Sequence, residues 1–263
     1  MATTTNTSTV PNDIMEITLT DLHTHILPGI DDGAKNLEVS LEMLRRQKVS
    51  GVERVALTPH FYPLREDLQT FLDKRQRAYE ELLAAWNAET MPQLRLGAEV
   101  HYSPCIADMD MRSIALAQSD YMLLELSDTM VPAHIEQVIK IMLDQGIKPI
   151  LAHVERCVYF NDEPARLLRL IELGALAQIS ARALSNKKRQ KFSKICLQKN
   201  AAQIIASDIH GIGEGRTALG KLKENANEEL LMRTEAFARA IWDNTALPEF
   251  APIPFRKRLF GYS

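Results

Sequence analysis

Strand-like and helix-like stretches alternate through most of this chain, the pattern of an α/β fold whose parallel sheet is joined by helical crossovers. Seven strands over about 230 residues favour closure into a barrel, with an open doubly wound sheet as the other arrangement of the same pattern. A third observation agrees with a barrel: at least six of the expected strands end on a His or carboxylate, where a barrel would gather them at one mouth.

The strands are expected at 16–22, 52–58, 94–100, 121–126, 148–152, 175–180 and 203–207. Each is short, mostly apolar or β-branched, and flanked by turn chemistry such as Gly51, Gly97, Gly146 and Gly174. Helices are expected between them. The stretch 36–49 carries Leu37, Leu41 and Leu44 at helical spacing, and 65–87 carries Leu68, Phe71, Leu72, Tyr79, Leu82 and Leu83. Further helices are expected at 133–145, 163–173, 183–200 and 215–244, the last broken once, with only short helical turns at 106–117. The organisation read from this is a Thr/Asn/Ser-rich lead at 1–13, one catalytic unit at 14–247, and a Pro-rich, basic tail at 248–263 that packs back on it.

Composition narrows the class. A net charge of −3 lacks the basic excess of a general nucleic-acid binder. Three cysteines, Cys105, Cys157 and Cys196, show no CxxC spacing and read as reduced thiols. No run approaches the roughly 20 apolar residues of a membrane span, and the first residues have no signal-peptide pattern. A cytoplasmic protein is expected.

The chemistry lies in the residues at the strand ends. His23 and His25, two apart on a strand, project to one side and can grip one ion. Asp31 and Asp32 follow in the next loop, and His60, Glu99, Glu125, His153, Asp208 and His210 arrive from later strands. Singly, each has an ordinary explanation as a hydrogen-bonded rim residue, and His101 and His134 are assigned to that class. Together, five of seven histidines and four carboxylates at equivalent places point to a metal centre. Imidazole mixed with carboxylate suits Mn²⁺, Fe or Zn²⁺, and nine ligands imply two or three divalent ions. Arg156 and Arg216, in loops over the same mouth, suit phosphate oxygens. No cysteine is followed six positions later by Arg, and no Walker A loop or G-x-S-x-G elbow is present, so water is the expected nucleophile.

Six segments in order, DLHTHILPGIDDGAK from Asp21, ALTPHFY, LGAEVHYSP, YMLLELS, ILAHVER and IIASDIHG, resemble the polymerase-and-histidinol-phosphatase (PHP) superfamily over 17–216. Within it the chain is similar to the bacterial manganese-dependent protein-tyrosine phosphatases of capsule and exopolysaccharide clusters, Glu125 being the main reason for that branch. The resemblance implies a distorted seven-stranded barrel with three metals. The first would be held by His23, His25, Glu99 and Asp208, with Glu99 bridging to a second completed by Glu125 and His153. Asp32, His60 and His210 would hold the third. It implies hydrolysis of phosphotyrosine by a metal-bridging hydroxide, with Arg156, Arg216 and Asp208 catalytic. The expected substrate is a tyrosine autokinase controlling polysaccharide export, which would bring the protein to the inner membrane surface. Glu42, Arg45 and Lys48 approximate a helix motif that drives ring assembly in some members, so a homo-oligomer is a further expectation. Two alternatives remain open: a PHP phosphoesterase acting on a small metabolite such as histidinol phosphate, and a non-catalytic docking protein.

Overall fold

A computed structural model describes residues 17–213, 218–225, 228–258 and 261–262. The expected lead at 1–13 and Arg216 lie outside the described residues. The strands are β1 (Leu19–Asp21), β2 (Val52–Leu57), β3 (His60–Phe61), β4 (Gln93–Leu96), β5 (Glu99–His101), β6 (Tyr121–Glu125), β7 (Lys148–Leu151), β8 (Leu176–Ser180) and β9 (Ile204–Ala206). These nine pair in parallel, in one sheet of order β1-β2-β4 and another of order β3-β5-β6-β7-β8-β9, and in the tail Lys257–Arg258 pairs antiparallel with Gly261–Tyr262.

Helices fill the crossovers: α1 (Leu37–Val49), α2 (Leu68–Ala85), α3 (Ile135–Asp144), α4 (Val158–Asp162), α5 (Ala165–Glu172), α6 (Gln190–Gln198), α7 (Ala218–Asn225) and α8 (Glu228–Asp243). Local chemistry sets their starts. The Asn36 side chain accepts from the Val39 amide at 3.0 Å to open α1, and Asp67 accepts from the Thr70 amide at 2.9 Å to open α2. Gly51, at φ +84°, allows the chain to turn directly from α1 into β2.

The expected α/β architecture is present, with three departures. The strand expected at 94–100 is split at Gly97-Ala98 into β4 and β5, and beyond the strand expected at 52–58 a further short strand, β3, resumes after Pro59. Pro59 has no amide hydrogen for the ladder, and the Gly97 and Glu99 amides bridge the break by donating to Leu57 O and Pro59 O. The stretch expected as one helix at 183–200 begins instead with a 3₁₀ turn, Ala181–Ser185, before α6. A continuous closed sheet is not formed. β1 and β9 are three residues long, and the two sheets meet beyond their ends: Thr24 pairs with Ile209, the Asp208 amide donates to His23 O, and the His25 amide donates to Ile209 O.

Strands covered on both faces explain the near-continuous apolar runs. Val55, Leu57, Leu124, Leu151 and Ile179 meet the surrounding helices, while Leu22, Ala56, Leu123, Ile150, Leu176 and Ile204 form a separate inner cluster. Phe237, Ala238, Ile241 and Trp242 of α8 close that inner cluster. In the tail, Ile253 N donates to Lys199 O at 2.7 Å, and the Phe255 ring stacks on Phe192. In α1, Glu42 pairs with Arg46 at 2.7 Å and with Arg45 at 4.0 Å, and Lys48 pairs with Glu53. Among the described residues no helix is long and apolar enough to cross a membrane.

Glu235 ties α8 to β1 by accepting from the Thr20 amide at 2.8 Å and the Thr20 hydroxyl at 2.7 Å. Burial pushes its carboxyl up to about 7, against the opposing pull of Thr20, Arg54 and Arg239. A carboxyl raised in the folded state binds its proton more tightly there than in the unfolded chain. Its stabilising contribution is therefore complete below the unfolded pKa near 4.5 and is lost as pH rises through about 7. Glu235→Gln should remove on the order of 3 kcal/mol of this pH dependence, read as a flatter Tm between pH 5 and 8. An unchanged Tm-against-pH slope would refute the assignment.

Candidate metal centre

The carboxyl ends of the strands bring the nine expected ligand residues together. His23, His25, Glu99, His153 and Asp208 are buried, His60, Glu125 and His210 are half-buried, and Asp32 stands exposed at the rim. Glu99 Oε2 lies at the centre, 3.1 Å from His23 Nε2, 3.2 Å from His25 Nε2 and 3.0 Å from His60 Nδ1. None of these contacts has hydrogen-bond geometry, and Oε2 is left unsatisfied. Glu99 Oε1 faces His153 Nε2 at 2.8 Å, and Glu125 Oε1 lies 3.7 Å from the same nitrogen. Asp208 Oδ1 is 3.5 Å from His23 Nε2 and 3.7 Å from His25 Nε2. Asp32 Oδ1 is 3.5 Å from both His60 Nε2 and His210 Nε2.

The tautomers decide what these contacts mean. His23 Nδ1 meets Gln178 Oε1 at 3.2 Å, and His25 Nδ1 meets Asp31 Oδ2 at 2.8 Å. Each Nδ1–H donates outward, so each imidazole, once its inner proton is lost, turns its Nε2 lone pair inward. These nitrogens are 3.1 Å apart, both facing Glu99 Oε2. Two lone pairs and a carboxylate oxygen aimed at one point repel unless a cation or protons lie between them. That donor set fits a divalent ion. Three groupings are close enough to hold one: His23 with His25 and Glu99, His60 with Glu99 and Glu125, and His25 with Asp32, His60 and His210.

Burial alone would raise the Glu99 carboxyl, but the imidazoles of His23, His153 and His25 hold it well below the usual range. Asp208 is likewise lowered against burial, by His23, Arg156 and His153. Burial opposes a charge on His25, yet Asp31 and Glu99 outweigh it and raise that imidazole to about 10. In His210, burial and the neighbouring His25 act together to lower the pKa. Its ring stacks on His25 with centroids 3.9 Å apart.

Two site residues carry backbone strain. His153 and Asp208 both adopt the left-handed region, at φ 31° and 53°, which non-glycine residues hold only when their surroundings enforce it. Gly33 is required by contact: a Cβ there would lie 2.0 Å from His25 O. The loop folds down onto His25 and presents Asp31.

Arg156 reaches the site through an ion pair with Asp208 Oδ2, and its buried Nε has no partner. The neighbouring Glu155 is buried and accepts from the Ser180 amide. Two residues, Gln178 and His101, were missed by sequence reasoning, and Asp31, named there beside Asp32, takes a part that was not read. Asp31 and Gln178 orient the two central histidines, and Gln178 also accepts from the His153 amide at 2.8 Å. His101, assigned to the rim class, lies beside Glu125 in the β5–β6 register, its Nδ1 3.1 Å from Glu125 Oε2. Only Gln178 gave a signal, as an uncharged polar residue inside an apolar strand. His134 caps α3 and has no contact with the cluster among the described interactions.

Fold and site together define a parallel α/β protein with His, Asp and Glu groupings able to hold metal at the carboxyl ends of its strands. The family model described as "Capsular polysaccharide synthesis, CpsB/CapC" matches residues 19–240, and the chain belongs to that family. It is 28% identical to a tyrosine-protein phosphatase, YwqE, of Bacillus subtilis, over 92% of this chain and 99% of that one. It is 29% identical to a putative tyrosine-protein phosphatase, CapC, of Staphylococcus aureus, over 74% and 78%. The tyrosine-protein phosphatase CpsB of Streptococcus pneumoniae is 28% identical, over 73% and 83%. A crystal structure from work on YwqE and CpsB, described as unique metal-dependent tyrosine phosphatases, superposes with a TM-score of 0.77 at 25% identity, covering 91% of this chain and all of the other.

Removing the carboxylate of Asp31 should free the His25 tautomer. Asp31→Ala is expected to weaken metal binding roughly 10–100-fold, by calorimetric titration of Mn²⁺, and equal affinity would count against the orienting role. Metal binding must also expel the proton that His25 holds up to about 10. Affinity should therefore climb from pH 6 to pH 8, by up to about tenfold per pH unit for each proton released. A pH-independent affinity in that window would contradict the inward-facing lone pairs.

Proposed function

We propose that this protein is a metal-dependent protein-tyrosine phosphatase serving capsular or exopolysaccharide synthesis, and that its substrate is a bacterial tyrosine kinase. The observation that carries this reading is the Glu99 oxygen ringed by three imidazole nitrogens without one satisfactory hydrogen bond. The named activities of the YwqE, CapC and CpsB relatives support it.

Two or three divalent ions, with Mn²⁺ first among them, fit the donor set. His23, His25, Glu99 and Asp208 would hold one, Glu99, Glu125 and His153 a second, and Asp32, His60 and His210 the third. When bound, such ions supply a water deprotonated near neutral pH and neutralise phosphoryl charge. The two sheets would act as one distorted seven-stranded barrel, a reading supported by the inner cluster under α8 and by the contacts from His23 and Thr24 to Asp208 and Ile209. Soluble placement in the cytoplasm, at the membrane surface through the kinase, follows from the same substrate.

The chain's own residues do the rest. Asp208 holds the Arg156 guanidinium beside the centre, where its exposed part would donate to a phosphoryl oxygen. Arg216 would supply a second such contact. The leaving phenol has a pKa near 10, so departure does not demand a strong acid. No thiol is suited to attack from the core: burial pushes Cys157 up to about 12 and Cys196 well above its ordinary value.

Purified protein with added Mn²⁺ should hydrolyse a phosphotyrosine peptide and lose that activity on chelation. His153→Ala and Asp208→Ala should each lower kcat by about three orders of magnitude or more, and Arg156→Ala by roughly 10²–10³, as for loss of one donor to developing charge. Cys157→Ser should stay within about threefold of the parent, being a buried isosteric change. Full activity after exhaustive metal removal would overturn the proposal.

A further inference from the structure

Beside the metal centre stands a row of rings that the catalytic reading leaves unused. Tyr62, two residues past His60, has its ring 5.4 Å from the His60 ring and 5.4 Å from the His101 ring, tilted by 33° and 39°. The Arg65 guanidinium lies over the Tyr62 ring at 4.5 Å from its centroid. The row runs outward, from the His60 side chain at 13% exposure, through half-buried Tyr62, to the His101 side chain at 41%. It thus leads from the inner donors to the open mouth.

The row is held in place from behind. The Arg65 and Glu66 amides both donate to Tyr62 O, and Glu66 pairs with Lys74 of α2 at 2.7 Å. The Tyr62 hydroxyl makes no hydrogen bond among the described interactions, so its ring is positioned by the turn and by ring contacts. The charges around the centre differ from place to place. Arg156 pairs with Asp208, whereas Tyr62 adjoins His60 and His101 adjoins Glu125. A phosphoryl group drawn to Arg156 would leave its ester substituent to extend toward the rings.

Resting on the phosphatase reading above, we propose that Tyr62, with His101 beside it and Arg65 over its ring, forms the subsite for the aromatic ring of the phosphotyrosine side chain. Ring packing rewards an aryl group and gives little to the single methylene of a phosphorylated serine. The wall therefore selects aryl over alkyl phosphate esters, independently of how fast either leaving group departs.

Two non-hydrolysable probes, phenylphosphonate and methylphosphonate, separate ring binding from chemistry when titrated calorimetrically into the Mn²⁺-loaded protein. Tyr62→Ala should weaken phenylphosphonate roughly five- to tenfold and methylphosphonate less than about twofold, while Tyr62→Phe keeps the parent preference. Elemental analysis checks that each variant carries the parent's metal. Should Tyr62→Ala lose metal or fail to fold, Arg65→Ala, an exposed position, should still reduce the phenyl-over-methyl preference about twofold. An unchanged preference in these variants, or equal weakening of both probes, overturns the subsite while leaving the phosphatase reading intact. A parent protein that neither binds the probes nor hydrolyses aryl phosphate overturns both.

Discussion

Everything at the mouth of this fold is organised around one buried carboxylate. Glu99 is fully enclosed, and three imidazole nitrogens crowd its Oε2 without hydrogen-bonding to it. A carboxylate taken out of water costs several kcal/mol unless positive charge accompanies it. Here that charge comes from protons on His23 and His25 or from cations in their place, and the competition between the two couples metal loading to pH. The partners behind the histidines matter for the same reason. Asp31 and Gln178 fix which nitrogen carries the proton, and with it whether the inner face offers lone pairs or hydrogens.

Precision at that centre comes from elements packed well away from it. Arg75 of α2 is buried and donates to Gly97 O and Ser113 O, fastening the break between β4 and β5 just before Glu99. The break allows Glu99 to be placed by its own pairing with His60 instead of by the continuing pleat. His153 and Asp208 are held in left-handed backbone conformations by the strands that carry them. At the opposite end α8 fills the inner cluster, so the strands are supported from within as well as from outside. Such a frame suits a reaction in which several groups must keep their positions while charge moves among them.

Much of the site was legible because it is written in short local motifs. The pairs His23/His25 and Asp208/His210, and single residues after apolar runs such as His60, Glu99, Glu125 and His153, all meet at the mouth. Helix limits were also readable, since caps such as Asn36 and Asp67 act within one turn of chain. The strand break at Gly97 was not, because an apolar run looks alike whether or not its ladder is interrupted, and the two-residue β3 beyond Pro59 is too short to show a pattern.

The sequence by itself determined the alternation of strands and helices, the residues able to bind metal, and the absence of a cysteine-based phosphate cradle, because each depends on identity and short-range spacing. Tertiary structure decided which nitrogen of each histidine faces inward, that His101 stands against Glu125, and that Tyr62 lines the way to the centre. Those outcomes follow from strand register and from partners as distant along the chain as Gln178 is from His23. Spacing along a chain carries no information about such contacts until the sheets have paired.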